Sequence, residues 1–280
     1  MSITASIPVT VTTQGALFPN LPAGLAAISD TTFDAAGKLP PTSGFDPTTR
    51  WQRTSTPGRI SIGSLTSANI AGISGPFGNT VLIGSCPLNF NTNAQGQPTG
   101  ISPFKMAMQF TDTATPYRYV YQCVWIRTSD DWTNPTGGFG TKMGFWQQAN
   151  GNPIVMNHWW TVNNDANPVQ QIHRVKIATQ FAGTGAPVGV EHTDSADNLI
   201  DTGNLKVVEI FMDAGTPGSA NGVMRIWVDG VSRMNKTLLV TATGDTAGFR
   251  GVTWEPTFGA AFNPKQQYIV IARWAAYAGN

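Results

Sequence analysis

The stretch NGVMRIWVDG, Asn221 to Gly230, alternates with a period of two residues and closes on Asp-Gly. Strict alternation is the pattern of a half-buried strand, and Asp-Gly after such a run is a strong short-range signal for a tight hairpin turn. Met224, Ile226 and Val228 fall on one side. Upstream, LKVVEIFMD places Val208, Ile210 and Met212 on one side in the same way. These six residues form an unbroken apolar surface that has to face a core. The opposite side then carries Val207, Glu209, Phe211 and Asp213 on one strand, with Val223, Arg225, Trp227 and Asp229 on the other. If AGTPGSA closes a symmetric hairpin, Glu209 lies across from Arg225, and such a cross-strand ion pair contributes about 0.2 to 1 kcal/mol.

Working outward, the chain from residue 59 reads as short strands punctuated by Gly, Pro and Asn: RISIGSL, TVLIGS, FKMAMQFTD, YRYVYQCVWIRTS, TKMGFWQQ, PIVMNHWWTV, VQQIHRVKIATQF and QYIVIARWAAYAG join the two above. No helical period and no solenoid repeat interrupts them. The expected fold is all-β, an antiparallel sandwich. At 280 residues, one main domain over 46–280 is the expectation. Residues 1–45 carry Asp30, Asp34 and Lys38 as their charges and are rich in Thr, Ala, Pro and Gly, so they read as an extended N-terminal arm. The sandwich is expected to stand when residues 1–40 are removed.

Composition narrows the function. Charged residues make up 12% of the chain and the formal net charge is +1, without a Lys/Arg cluster, so the electrostatic footprint of nucleic-acid binding is missing. No apolar run has the length of about 20 residues that spans a bilayer, and MSITASIPVTVTTQG lacks the basic and apolar regions of a secretory leader, so no membrane partner is expected. Cys86 and Cys123 read as two buried thiols or, in an oxidising compartment, one disulfide. The cysteines and the three histidines fit no zinc spacing, and the acidic loop with Asp194, Asp197 and Asp201 lacks EF-hand spacing, so neither metal nor cofactor is expected.

The C-terminal third resembles the concanavalin A-like jelly rolls of polysaccharide lyases, glucanases, lectin-like modules and phage proteins. Asn221, Gly222, Trp227, Asp229 and Gly230 match their hairpin motif, and Trp254, Pro256, Phe258 and Gly259 match the loop before their final strand; Ala272 replaces an acidic residue of that strand. The resemblance implies a fold that hosts enzymes and binding proteins alike. It also brings out Gln171 and His173, because jelly-roll alginate lyases carry Gln-x-His together with a Tyr, for which Tyr277 or Tyr268 is available. In those enzymes a neutralised uronate carboxylate and a positioned base share the work of proton abstraction. The face of Gln171 and His173 continues as Val175 and Ile177, which reads as core. Glu191, Glu209 and Glu255 are the three glutamates and form no glycosidase cluster.

Nine tryptophans offer a second site chemistry, a flat platform for sugar C–H faces with amides alongside. Trp125, Trp146, Trp159, Trp160 and Trp227 fall on expected strands, whereas Trp51, Trp132 and Trp254 fall in expected loops. The candidate ligand-binding set is Trp125, Trp146, Trp159, Glu209, Arg225 and Trp227. The expectation is a non-catalytic surface module on a virion, a decoration or adhesion component, that meets other subunits through its arm and binds glycans. A polysaccharide lyase using Gln171, His173 and Tyr277 is the first alternative, and a soluble carbohydrate-binding module the second.

Overall fold

The computed structural model describes residues 17–33, 39–47, 50–55, 59–64, 80–88, 94–95, 102–110, 116–129, 132, 141–148, 153–164, 167–180, 187–192, 203–216, 219, 221–239, 248–257, 263 and 265–280. For 54–55, 64, 141–148, 153–164, 167–180, 187–192, 238–239 and 257 the description is of the backbone. The described elements are the strands β1 (Ala26–Thr32), β2 (Trp51–Ser55), β3 (Ile60–Ser64), β4 (Thr80–Cys86), β5 (Phe104–Gln109), β6 (Tyr119–Thr128), β7 (Thr141–Gln148), β8 (Pro153–Asn164), β9 (Asn167–Gln180), β10 (Pro187–His192), β11 (Lys206–Asp213), β12 (Gly222–Val228), β13 (Val231–Leu239), β14 (Phe249–Thr257) and β15 (Gln267–Gly279).

They pair antiparallel into two sheets. The first runs β13-β12-β11-β6-β15-β4-β3, with β1 added beside β15, and the second runs β10-β9-β8-β7-β14-β5-β2. The ten strands expected from sequence are joined by β1, β2, β10, β13 and β14. Trp51 and Trp254, expected in loops, lie on β2 and β14, where they are buried and pack edge-on against Trp274 at 4.5 and 4.9 Å. Their alternation is hidden in the sequence because β2 is short and β14 carries Gly251 and Pro256.

Between the sheets lies the main core. Met224, Ile226 and Val228 join Val208, Ile210 and Met212 there, and β5 contributes Phe104, Met106 and Met108 from the other side. Fully burying one such side chain contributes about 1.5 to 3 kcal/mol. Gly84 of β4 leaves room for the facing Phe104 ring, which a Cβ there would meet at 2.2 Å.

The Asp229-Gly230 turn has φ of 51° and 77°, the positive pair that a two-residue hairpin needs. The neighbouring hairpin departs from the symmetric register. Glu209 pairs with Trp227 and Phe211 with Arg225, so the expected Glu209–Arg225 pairing is corrected by two residues. The loop is the cause. Asn221 Oδ1 accepts from Thr216 N at 2.7 Å and Asp213 Oδ1 from Gly215 N at 2.8 Å, which commits Asn221 to the turn and makes Asp213 and Val223 the pair that closes the ladder. A two-residue shift preserves the faces, and so the core assignment stands.

β15 changes partner and parity along its length. Residues Gln267 to Ile271 pair with β4 and residues Arg273 to Ala278 with β1, on the same edge. A bulge between Ile271 and Arg273 turns Ile269, Ile271, Trp274 and Ala276 to the main core, while Val270, Ala272, Ala275 and Tyr277 face the other way.

That other face of the first sheet is apolar too, and residues Leu17 to Leu25 cover part of it. Phe18 and Phe33 are buried, and Arg273 binds Asp30 of β1 through two bonds of 2.8 and 2.6 Å. Residues 1–40, expected to be dispensable for the sandwich, thus include β1, both phenylalanines and the partner of Arg273.

Cys86 belongs to the main core and Cys123 to the outer cluster, so the sheet itself separates the two free thiols. Burial pushes both well above the ordinary thiol range. Native protein should leave both unmodified by a thiol reagent at pH 8, whereas denatured protein should react at two equivalents; colorimetric titration reads the difference. Separately, Gly84→Val should lower stability by at least about 1 to 3 kcal/mol through overpacking against Phe104, measured by urea denaturation.

Candidate functional site

The outer face of the first sheet gathers most of the described candidates. Cross-strand pairing sets two rows on it. One runs Tyr277, Tyr121, Phe211, Arg225, Asn235 across β15, β6, β11, β12 and β13; the next runs Ala275, Cys123, Glu209, Trp227, Ser232. The N-terminal segment covers the first half of both rows and leaves the second half open.

Phe18 anchors the covered half. Its ring meets Trp125 edge-on at 5.7 Å and Tyr277 at 5.5 Å, and the Arg273 guanidinium sits 4.9 Å from it and 5.4 Å from Trp125. Arg273 thus lies over two rings while its N–H groups engage Asp30, a cation–π contact with a charged partner. Beneath lies Glu209, fully buried. Asn20 donates to it twice, from backbone N to Oε1 at 3.2 Å and from Nδ2 to Oε2 at 2.8 Å, and Tyr121 Oη donates to Oε1. Burial pushes the Tyr121 phenol far up, and the adjacent Glu209 adds to it, so the hydroxyl keeps its proton and serves as donor.

The open half has the opposite character. Arg225 is exposed, donates from Nε to Asn235 Oδ1 at 3.2 Å, and lies 5.9 Å from the Phe211 ring. Phe211 in turn stacks on half-buried Tyr119 at 6.4 Å and 9°, with Arg118 capping Tyr119 at 4.9 Å. Trp227 is half-buried next to Arg225. The acids around this patch have partners: Asp213 takes two bonds from Arg118, Asp229 takes Lys206 and Val207 N, and Glu209 is held by Asn20 and Tyr121. Arg225, bonded to a neutral amide, gives the patch a positive pole beside an indole face.

Of the ligand-binding candidates, Trp125 and Glu209 are buried under the N-terminal segment, while Arg225 and Trp227 lie on the open half. Trp146 lies on β7, paired with Val252 and Val155, and Trp159 on β8, paired with Thr141 and Val175; both side chains lie outside the described residues. Gln171 and His173 lie on β9 of the second sheet, paired with Asn163 and Thr161, and their side chains are likewise outside the description. Tyr277 is buried on the outer face of the first sheet, against Phe18 and Tyr121, and so is not brought together with β9. Tyr268, 43% exposed, also lies on β15 of the first sheet. Asp194, Asp197 and Asp201 fall outside the described residues. Among the described residues no cluster of metal-ligating side chains occurs.

Asn20, Tyr121, Arg273 and Phe18 were not singled out by sequence. A usable signal exists: Phe18 is the one aromatic in the first 32 residues, and β6 is apolar on both of its faces, which calls for a cover on each.

With this geometry in view, the chain was compared with known proteins. No family model matches it, and no curated protein matches it. Among solved structures, a PL-14 alginate lyase from Aplysia kurodai superposes with a TM-score of 0.53 at 10% identity, over 90% of this chain and 99% of that one. The fold is a concanavalin A-like jelly roll. Looser likenesses to this jelly roll are an endo-β-1,4-glucuronan lyase from the fungus Trichoderma reesei, TM-score 0.48 at 12% identity over 82% and 94% of the two chains, and an alginate lyase from a Chlorella virus, TM-score 0.48 at 12% identity over 82% and 93%.

Asn20→Ala should cost about 1.5 to 3 kcal/mol, the range for hydrogen bonds to a charged group. Phe18→Ala should cost about 3 to 5 kcal/mol. In a double-mutant cycle read by urea denaturation, Asn20→Ala and Glu209→Ala should couple by more than about 0.5 kcal/mol.

Proposed function

We propose that this jelly roll is a non-catalytic carbohydrate-binding module whose ligand lies on the open half of the outer face, across Trp227 and Arg225. The observation that carries this reading is the division of labour on that face. Glu209, the carboxyl group best placed for chemistry there, is buried and saturated by Asn20 and Tyr121, while an indole, a guanidinium and an amide remain at the surface. Sugar C–H faces stack on such a ring and hydroxyls bond to Arg225 and Asn235. The shared fold with an alginate lyase adds a kinship with carbohydrate proteins at the level of architecture.

In this reading the module serves on an assembled particle, as a virion decoration or adhesion component. Residues 1–16 contain no charged side chain, and in this reading they supply the contact with other subunits. Removing residues 2–16 is then expected to abolish particle attachment without changing the melting temperature of the jelly roll.

A second reading is a polysaccharide lyase centred on Gln171 and His173. It is favoured by their two-residue spacing on one strand, β9, and by the same architectural kinship. An absorbance assay for unsaturated uronates on alginate and glucuronan separates the readings. The binding module gives no rise; a rise that His173→Ala removes replaces it with the lyase.

For the binding module, Trp227→Ala and Arg225→Ala should each weaken glycan-array binding at least tenfold. Ile226→Ala, in the main core, should cost about 2 to 5 kcal/mol, more than Trp227→Ala costs, while leaving binding by the folded fraction intact.

A further inference from the structure

The cover on the sealed half is held to the sheet at two places. Its backbone closes on itself, Leu21 N to Phe18 O at 3.1 Å, which makes residues 17–21 a compact knob. The knob meets the sheet through the Phe18 ring, the two Asn20 donors and the leucines beside them. On its C-terminal side, Leu25 is packed against β15, where a Cβ on Gly279 would come within 2.9 Å of Leu25 Cδ2. Between knob and anchor stand Pro22, Ala23 and Gly24. Gly24 has φ of +86°, and a Cβ built there would meet nothing within 4 Å. Between knob and anchor the chain thus passes through one residue whose left-handed conformation, and not its packing, sets the path.

We propose that the seat formed by Trp125, Tyr277, Arg273, Tyr121 and Glu209 is an exchange site, and that a second copy of this chain fills it with its own residues 17–23. The exchanged contacts are identical to those within one copy, so the balance between closed monomer and reciprocal dimer rests on the conformation at Gly24 and on concentration. Opening Gly24 to a negative φ points the knob away from its own face. The same residues then satisfy the partner's Glu209, and the partner's knob satisfies the first copy's. The buried carboxyl makes the exchange reciprocal, because a seat left empty exposes Glu209 and Tyr121 without Asn20. This assembly is independent of the glycan patch, which uses the other half of the face.

Full-length protein provides the test, by light scattering after size exclusion across a hundredfold concentration range and by native mass spectrometry. The expected result is a dimer that grows with concentration and forms mixed species slowly when light and isotopically heavy copies are combined. Gly24→Ala penalises the closed form, because a non-glycine residue disfavours positive φ, and should raise dimer association at least about tenfold. Asn20→Ala weakens the seat equally in the closed and exchanged forms, so it should leave the dimer fraction within about twofold while speeding the mixing of light and heavy copies, which has to pass through an opened seat. Circular dichroism melts identify any variant that fails to fold, in which case the concentration series and the mixing of unaltered light and heavy copies decide. A monomer at every concentration, both with and without Gly24→Ala, overturns the proposal. So does a dimer whose mixing of light and heavy copies Asn20→Ala leaves no faster, since it would associate through some other surface.

Discussion

A carboxyl group with no exposure, set in the middle of an apolar sheet face, is the constraint around which this jelly roll is arranged. Removing Glu209 from water costs several kcal/mol unless its oxygens are bonded. Tyr121, from the adjacent strand, supplies one donor. The other two come from Asn20, 189 positions away in sequence, and with Asn20 comes Phe18, whose ring lies under the Arg273 guanidinium. Glu209 thus recruits the N-terminal segment to the sheet, and the segment in turn shields the carboxyl group. Each supports the other, so this polar contact fixes where the N-terminal segment sits on the sheet.

The same constraint separates two zones of one surface. Where the N-terminal segment lies, aromatic residues are used up in packing. Where it ends, Phe211 and Tyr119 still stack, yet Arg225 and Trp227 face outward. A single sheet therefore offers a buried interface and a solvent-facing patch side by side, and the boundary runs along β11. The potential of the patch is set as much by what has been neutralised around it, Asp213 by Arg118 and Asp229 by Lys206, as by Arg225 itself.

How far the sequence discloses this depends on the range of the interaction. The β11–β12 pair was legible in detail, because period-two alternation and an Asp-Gly turn are local signals; its faces follow from parity alone. Its register was not, since Asn221 could have ended the ladder or stapled the loop, and only the Asn221–Thr216 bonds decide. β14 hid because Gly251 and Pro256 break its pattern. The N-terminal segment was read as an arm from its scarcity of charge, and its attachment was obscure because the partners of Asn20 and Asp30 lie near the other end of the chain. β6 and β15 nonetheless carried a hint. Both are apolar on two faces, and a strand of that kind needs cover on both sides.

The pairing of β1 with β15 also has a consequence in time. Asp30 and Arg273 stand 243 positions apart. At translation rates of about 5 to 20 residues per second, Asp30 precedes its partner by roughly 10 to 50 s. Throughout that interval the knob and β1 have left the ribosome while the strand that receives them is still unwritten. Phe18 and the leucines around it wait as exposed apolar chain, and on a crowded polysome the first sheet to mature nearby belongs to a neighbouring copy.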